Sequence, residues 1–266
     1  WAKSQLRFAY GRTLARPDFR ELSEVYYQAV SGGFSVQGNK ALRQTTIDNL
    51  DLRWEFYPSE GESISIAGFY KRFIDPIEFV ILAGAEPIIK PQNISAEGGG
   101  QGFFDATAEN YGIELDVRHY LDWLAYGLED TWIAGNLSVI RSRLDLTSTE
   151  GSIETNSERP LQGQSPYVAN LQLGYDRPDS GTQLTLLYNV FGPRIAIVGT
   201  QGKPNIYEEP IHRVDGTFRQ SLGQGFSLSV KGSNLLNWPA RRSQGELLTL
   251  ERYDGRGISF SLSWSG

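Results

Sequence analysis

From Leu50 the chain alternates with a period of two: Leu50, Leu52, Trp54 and Phe56 stand against Asp51, Arg53 and Glu55. Successive side chains of a β-strand point to opposite faces, so this spacing predicts a strand with one apolar and one polar face. The same alternation returns at Tyr111, Ile113, Leu115 and Val117, and again at Tyr167, Ala169, Leu171, Leu173 and Tyr175. It continues at Leu184, Leu186, Tyr188 and Val190, at Phe226, Leu228 and Val230, and at Ile258, Phe260, Leu262 and Trp264. Weaker alternation runs over 1–17, 62–82, 131–147 and 208–222. In 131–147 the apolar face is ambiguous, because Leu137 and Val139 fall out of phase with Ile140 and Leu144. Together these segments predict ten strands, over 1–17, 43–57, 62–82, 103–120, 130–147, 163–177, 181–198, 208–222, 225–237 and 248–265.

The connections alternate in length. Pro58-Ser59-Glu60-Gly61, Pro178-Asp179-Ser180-Gly181 and Leu222-Gly223-Gln224-Gly225 are short. Proline presets φ, Asp or Ser bonds its own backbone and glycine supplies positive φ, so these read as hairpin turns. A longer connection on the same side, His119 to Asp130, carries Tyr120, Trp123 and Tyr126. Polar loops over 18–42, 83–102, 148–162, 199–207 and 238–247 fall on the other side. Short turns at one end and long loops at the other predict an all-β, antiparallel, up-and-down barrel of the outer-membrane kind. A soluble sandwich also alternates. Lipid is favoured by segments longer than about 12 residues, where soluble strands average about 5–6. The placement of Tyr10, Phe56, Tyr57, Tyr111, Tyr167, Tyr175 and Trp264 near segment ends suits an interfacial girdle. Charges on the polar face, such as Asp51, Arg53, Glu114, Asp116 and Lys231, suit a wet or plugged lumen.

Composition narrows the picture. The 266 residues include no Cys and no Met, which excludes a disulfide scaffold, a thiolate metal site and a cysteine nucleophile. No apolar run approaches the roughly 18 residues of a membrane helix. A formal charge of −6 argues against a nucleic-acid partner. The chain opens on Trp1, and residues 1–20 lack the apolar core of a secretory signal, so it reads as a piece of something larger.

Five stretches carry a family resemblance. Arg12-Thr13-Leu14-Ala15-Arg16-Pro17-Asp18-Phe19-Arg20-Glu21-Leu22 closely resembles a barrel segment of TonB-dependent outer-membrane receptors. The stretch from Gly38-Asn39 through Asn49-Leu50-Asp51-Leu52 to Phe56-Tyr57 is similar to the segment that follows it in that family. Ala108-Glu109-Asn110-Tyr111-Gly112-Ile113-Glu114-Leu115-Asp116 resembles a further strand. Near the end, Lys231-Gly232-Ser233-Asn234-Leu235-Leu236-Asn237 resembles a strand end of that family, and Tyr253-Asp254-Gly255-Arg256-Gly257-Ile258-Ser259-Phe260 the entry to its closing strand. Physical reasons stand beside the resemblance. Pro17 removes a ladder donor where pairing frays, Gly38-Asn39 favours a left-handed turn, and Gly112 permits curvature or close approach.

The resemblance implies that residues 1–266 are the C-terminal portion of a barrel of about 22 strands with a plugged lumen. Trp264 falls where the family usually has Tyr, and Gly266 stands in the phase of a terminal Phe, which reads as truncation. Implied partners are the rest of the barrel and its plug, the TonB complex, outer-membrane lipid and lipopolysaccharide, and a small nutrient. Siderophore, cobalamin, oligosaccharide and peptide all stay open. The implied location is the outer membrane of a Gram-negative bacterium. A non-transporting barrel, an adhesin or assembly component, is the alternative reading, followed by a soluble secreted β-domain.

Candidate chemistry is sparse. His119 and His212 are the two histidines; His212 stands beside Arg213 and Asp215, but a Ser/His/Asp site would also need a Ser close to it and nothing in the sequence requires one, so no enzyme is expected. Glu208-Glu209 and Asp18, Glu21 and Glu24 could touch calcium, but solvated loop acids are commoner, and no metal or cofactor is expected. The Gly98–Gly102 run lacks the Lys-Ser/Thr of a phosphate cradle. Ligand contacts are expected at the long-loop mouth, from Tyr26, Tyr27, Phe34, Phe103, Phe104, Arg194, Tyr207, Arg213, Arg241 and Arg242.

Overall fold

The computed structural model describes residues 3–28, 35–82, 88–94, 108–145 and 154–265. Ten strands run up and down in sequence order: β1 (Ser4–Ala15), β2 (Thr45–Phe56), β3 (Ser63–Ile74), β4 (Ala108–Tyr120), β5 (Thr131–Asp145), β6 (Tyr167–Arg177), β7 (Thr182–Phe191), β8 (His212–Gly223), β9 (Phe226–Ser233) and β10 (Gly257–Trp264). Each pairs antiparallel with its neighbour in a single path from β1 to β10, and these are the ten expected strands. The pair Glu158–Arg159 extends the sheet on β5.

Register turns ten alternations into two faces. Leu6, Trp54, Ile66, Leu115 and Leu137 are successive cross-strand partners, and one step up stand Phe8, Leu52, Gly68, Ile113 and Val139. Most of these apolar side chains are exposed, Phe8 at 69% and Ile113 at 62%, so the face as a whole has no cover among the described residues. The same face continues in other rows, through Leu171, Tyr188 and Val214, and at the end of the sheet Val230 faces Phe260. On the opposite face Glu55 receives both Arg7 (3.2 Å) and Arg53 (2.9 Å). Farther along, Asn189 donates to Asn170 (2.7 Å) and Asn170 to Asn136 (2.8 Å), an amide chain across three strands. Slipping one strand by one residue would exchange the two faces, so the apolar and polar rows together fix the register.

Several expected segments are cut shorter. The segment 62–82 breaks at Asp75, whose φ of 53° starts a new strand, Ile77–Leu82. The segment 181–198 breaks at Gly192-Pro193, where proline removes the ladder donor, and resumes as Arg194–Ile197. The segment 248–265 splits into Leu247–Arg252 and β10 around Gly255, at φ 83°. The segment 225–237 stops at Ser233, ahead of Asn234 and Asn237, both at positive φ. The short turns behave as expected, with Gly61, Gly181, Gly223 and Gly225 all left-handed. Gly38 differs from expectation. It is absent from the positive-φ residues, and a Cβ there would strike the backbone of Glu21 and Ser23, so close packing is what requires glycine.

Candidate functional site at the long-loop mouth

The long loops carry more order than their polarity suggests. Tyr26–Gln28, Ser35–Gln37, Ile88–Asn93 and Ile77–Leu82 form one four-stranded sheet. Arg194–Ile197, Ile206–Glu208, Ala240–Gln244 and Leu247–Arg252 form a second. Between and beneath them lie two apolar clusters. Val80, Ile94, Ala108 and Leu144 are buried together with Phe73 and Leu161 packed on them. Ile81, Ile195 and Val198 are buried with Ile89, Ile197 and Tyr207 against them. Phe73, Ala108 and Leu144 are register partners on the polar face of the wall. That face therefore turns apolar at its loop end, where the Ile77–Asn93 hairpin covers it. This resolves the ambiguous phase of 131–147: Leu137 and Val139 are exposed on the apolar face, while Leu144 is buried under the loops.

One ion cluster ties the loops to one another. Arg159 donates to Glu78 (2.9 Å) and to Glu154 (3.2 Å), with its side chain 2% exposed. The Gln162 amide also donates to Glu78 (3.4 Å). Burial pushes the carboxyl of Glu78 above the ordinary range, although Arg159 opposes the shift. Glu154 is displaced the same way for the same reason. Two carboxylates share one guanidinium, so ionising both leaves a net negative charge in a dry site.

Two cavities open at this end. One, of about 350 Å³, lies where β5 outruns β6, and is lined by Ile140, Arg141, Gln164, Pro193, Arg194 and Tyr207 among others. Another, of about 500 Å³, is lined by Thr45, Ile47, Phe73, Glu78 and Gln162 among others, beside the ion cluster. Of the expected ligand residues, the structure brings Arg194 and Tyr207 together on the first cavity. Arg194 pairs with Glu208 (2.8 Å) and lies over the Phe191 ring, 4.4 Å from its centroid. Tyr26 and Tyr27 stand on the other loop sheet, Tyr26 exposed and Tyr27 half-buried. Arg213 stands instead on the polar face of β8, paired with Asp215 (3.3 Å). Arg241 is bound to Glu251 (2.6 Å), and Arg242 faces Glu208 in register. Phe34, Phe103, Phe104 and the Gly98–Gly102 run lie outside the described residues.

The weighed acids and histidines have other partners. Asp18 and Glu21 form a capping box on the single helical turn Phe19–Leu22, and Glu24 pairs with Lys40 (3.1 Å). His212 Nδ1 meets the Tyr188 hydroxyl (2.7 Å) and the edge of Trp238 (ring centroids 4.6 Å apart) on the apolar face. At the short-turn end Glu62 accepts from the Tyr120 amide (3.0 Å), and also meets Ser59 and His119. These bonds hold its carboxyl below the ordinary range, Ser59 first. Arg141 and the Arg159 cluster were not among the expected residues. Arg141 sits in an alternating strand and reads as ordinary polarity, and Arg159 lies in a loop with no periodic signal.

Residues 1–235 match the family described as TonB dependent receptor-like, beta-barrel. The chain belongs to this family. Solved structures agree on the fold of the receptor barrel. It superposes on the ferric enterobactin receptor of Pseudomonas aeruginosa, in a mutant complexed with enterobactin, with a TM-score of 0.64 at 17% identity, covering 98% of this chain and 38% of that one. A copper transporter gives 0.64 at 16%, covering 98% and 37%. The siderophore receptor of Acinetobacter baumannii gives 0.61 at 15%, covering 98% and 39%. The receptor barrel described here therefore spans well under half the length of these relatives. No curated protein sequence matches it.

Proposed function

We propose that the chain supplies part of the barrel wall, and most of one side of the outer mouth, of a Gram-negative outer-membrane receptor. That receptor binds a scarce nutrient and admits it with energy from TonB. The observation that carries this reading is the wall. Its apolar face is continuous across ten strands, largely uncovered and edged by aromatic side chains at both ends. Trp54, Phe56, Phe226 and Trp264 mark the short-turn edge, and Tyr10, Tyr70, Tyr111, Tyr167 and Tyr188 the long-loop edge. Tyr111 and His119 lie eight residues apart on that face of β4. At about 3.3 Å per residue and a tilt near 40°, that spans about 20 Å, close to the apolar band of an outer-membrane barrel.

The polar face then lines a lumen that a plug fills, and the remaining strands, the plug and the TonB complex are partners. Outer-membrane lipid and lipopolysaccharide surround the apolar face. A metal chelate is the nutrient class we favour, since the structural relatives are named for ferric enterobactin, siderophores and copper. Arg194 and Tyr207 offer an anionic chelate a guanidinium contact and an aromatic wall at one cavity, with Tyr26 and Tyr27 on the other loop sheet. Uptake of labelled ferric and copper chelates tests the reading in a host lacking the gene for the intact protein. Loss of uptake on deletion, its return on complementation and its collapse with a protonophore are expected. Unchanged uptake of every chelate overturns the transport reading, and an intact protein that is soluble without detergent overturns the membrane reading.

A further inference from the structure

We infer that a row of arginines at the long-loop edge of the apolar face binds the phosphate of an outer-leaflet lipid headgroup, an inference that rests on the outer-membrane reading above. Arg12, Asp48, Arg72, Glu109 and Arg143 are successive cross-strand partners from β1 to β5. The row directly below reads Tyr10, Leu50, Tyr70, Tyr111 and Arg141. Two residues along a strand tilted near 40° place the charged row about 5 Å above the tyrosines. Tyrosine rings sit at the boundary between hydrocarbon and headgroups, so the arginines stand at the depth of the phosphates.

The charges in this row are not presented equally. Asp48 is 2% exposed and lies beneath Arg12, which reaches it through Nε (2.6 Å) and Nη2 (3.0 Å) and is itself 58% exposed. Arg72 lies 3.8 Å from the same carboxylate, and the Tyr10 hydroxyl donates to it at 3.3 Å. Glu109 is half-buried and accepts from the Tyr70 hydroxyl (3.1 Å). Arg143 is 53% exposed, and its partner Glu158 at 3.0 Å is 61% exposed, a pairing of the weak surface kind. Arg141 adds an exposed guanidinium within the tyrosine row. The recessed Asp48 holds Arg12 and Arg72 in place, while the outward donors of Arg12, Arg141 and Arg143 face the surroundings. A guanidinium has five donors in a fixed fork that matches phosphate oxygens, and Asp48 takes only some of those of Arg12. At the edge of hydrocarbon, where the dielectric falls, such pairs strengthen.

The test uses the intact receptor in detergent, titrated with bisphosphorylated lipid A and read by native mass spectrometry for retained lipid. Retention of the phosphorylated lipid is expected, with at least tenfold less for its dephosphorylated form and no displacement by millimolar inorganic phosphate. Arg12→Gln with Arg143→Gln should lower retention at least tenfold, and the Arg→Lys pair should fall between, since charge survives but the fork is lost. Heat-modifiable migration on gels establishes that each variant is folded. Equal retention of the dephosphorylated lipid, or wild-type retention in the folded Gln pair, overturns the inference and leaves the transport reading standing. If the Gln pair does not fold, the Lys pair decides by the same comparison.

Discussion

Arg159 is the residue that joins two of the connections at the outer mouth. It joins Glu78, from the hairpin after β3, to Glu154, from the connection after β5, at 2.9 and 3.2 Å in a buried site. Removing one member of such a cluster strands the others without a counter-charge, which costs roughly 3–5 kcal/mol. Arg159→Met should therefore loosen the loops while leaving the wall intact. The expected result is protease cleavage within 77–94 or 154–162 at conditions where the wild type resists, with heat-modifiable migration retained. Cleavage unchanged from wild type would show that the apolar clusters alone hold these loops. Acid and base should act oppositely at the two ends of the sheet. Glu78 and Glu154 are pushed up by burial, so the folded loops favour the protonated acids. That stability is fully present at and below the ordinary carboxylate range, and is lost as pH rises through the raised values. Glu62 is held down by Ser59, the Tyr120 amide and His119. Its contribution is present above the ordinary range and is lost as pH falls through the lowered value. Glu78→Gln should flatten the loosening of the loops as pH rises, and Glu62→Gln the loosening of the turn at Ser59–Glu62 as pH falls. Amide exchange of each segment, corrected for intrinsic rate against pH, separates the two. The same slope in variant and wild type would refute either assignment. Neither cluster was legible in the sequence, since Glu78 and Arg159 are 81 residues apart and share no motif. Of the Glu62 cluster, the sequence places Ser59 in a short turn and His119 on the longer connection of the same side, without the acid that joins them.

At the scale of elements, what was legible followed from the environment on each side of a strand. β2, β6 and β7 keep one apolar and one polar face along most of their length, and their alternation placed them correctly. β5 crosses from a wet face to one covered by loops, so its pattern changes phase at Val139 and Ile140 although the strand continues to Asp145. The loop strands were missed, or read as continuations of the wall strands beside them, for a related reason. They are three to six residues long, and their packing against Val80, Ile81 and Ile195 comes from distant segments. Glycines within strands show how far side chains lean across their neighbours. Trp132 of β5 lies over Gly174 of β6, where a Cβ would overlap its indole, and Arg118 of β4 lies over the same ring at 4.3 Å. Gly174→Val should push the indole off β6 and break its stacking with Arg118, costing about 1–3 kcal/mol by overpacking. A lower unfolding midpoint in detergent is expected, and Trp132→Ala in the Gly174→Val background should recover part of it. Unchanged stability in the single variant would mean that the ring has another place to go.

For the whole molecule, the decisive quantity is the number of unsatisfied edges. Among the described residues β1 pairs only with β2, and β10 only with β9. β1 is twelve residues long, so about half of its peptide groups face away from β2 with no ladder partner. In hydrocarbon each such group costs several kcal/mol, so two open edges cost on the order of tens of kcal/mol. A folded domain is stable by only about 5–15 kcal/mol, and no packing in the outer loops offsets that deficit. In the membrane setting proposed above, the ten strands would need further strands to complete a wall. The alternation along each strand could not show this, because it records faces and is silent about edges. Refolded into detergent by itself, the 266-residue chain should give β-rich oligomers that migrate alike with and without heating. The intact protein should instead give a monomer whose migration shifts on heating, as closed barrels do. A protease-resistant, heat-modifiable monomer of 29.7 kDa from this chain alone would mean that β1 and β10 close on each other. The barrel would then hold ten strands, and its lumen would be too narrow for the plug on which TonB-driven uptake depends.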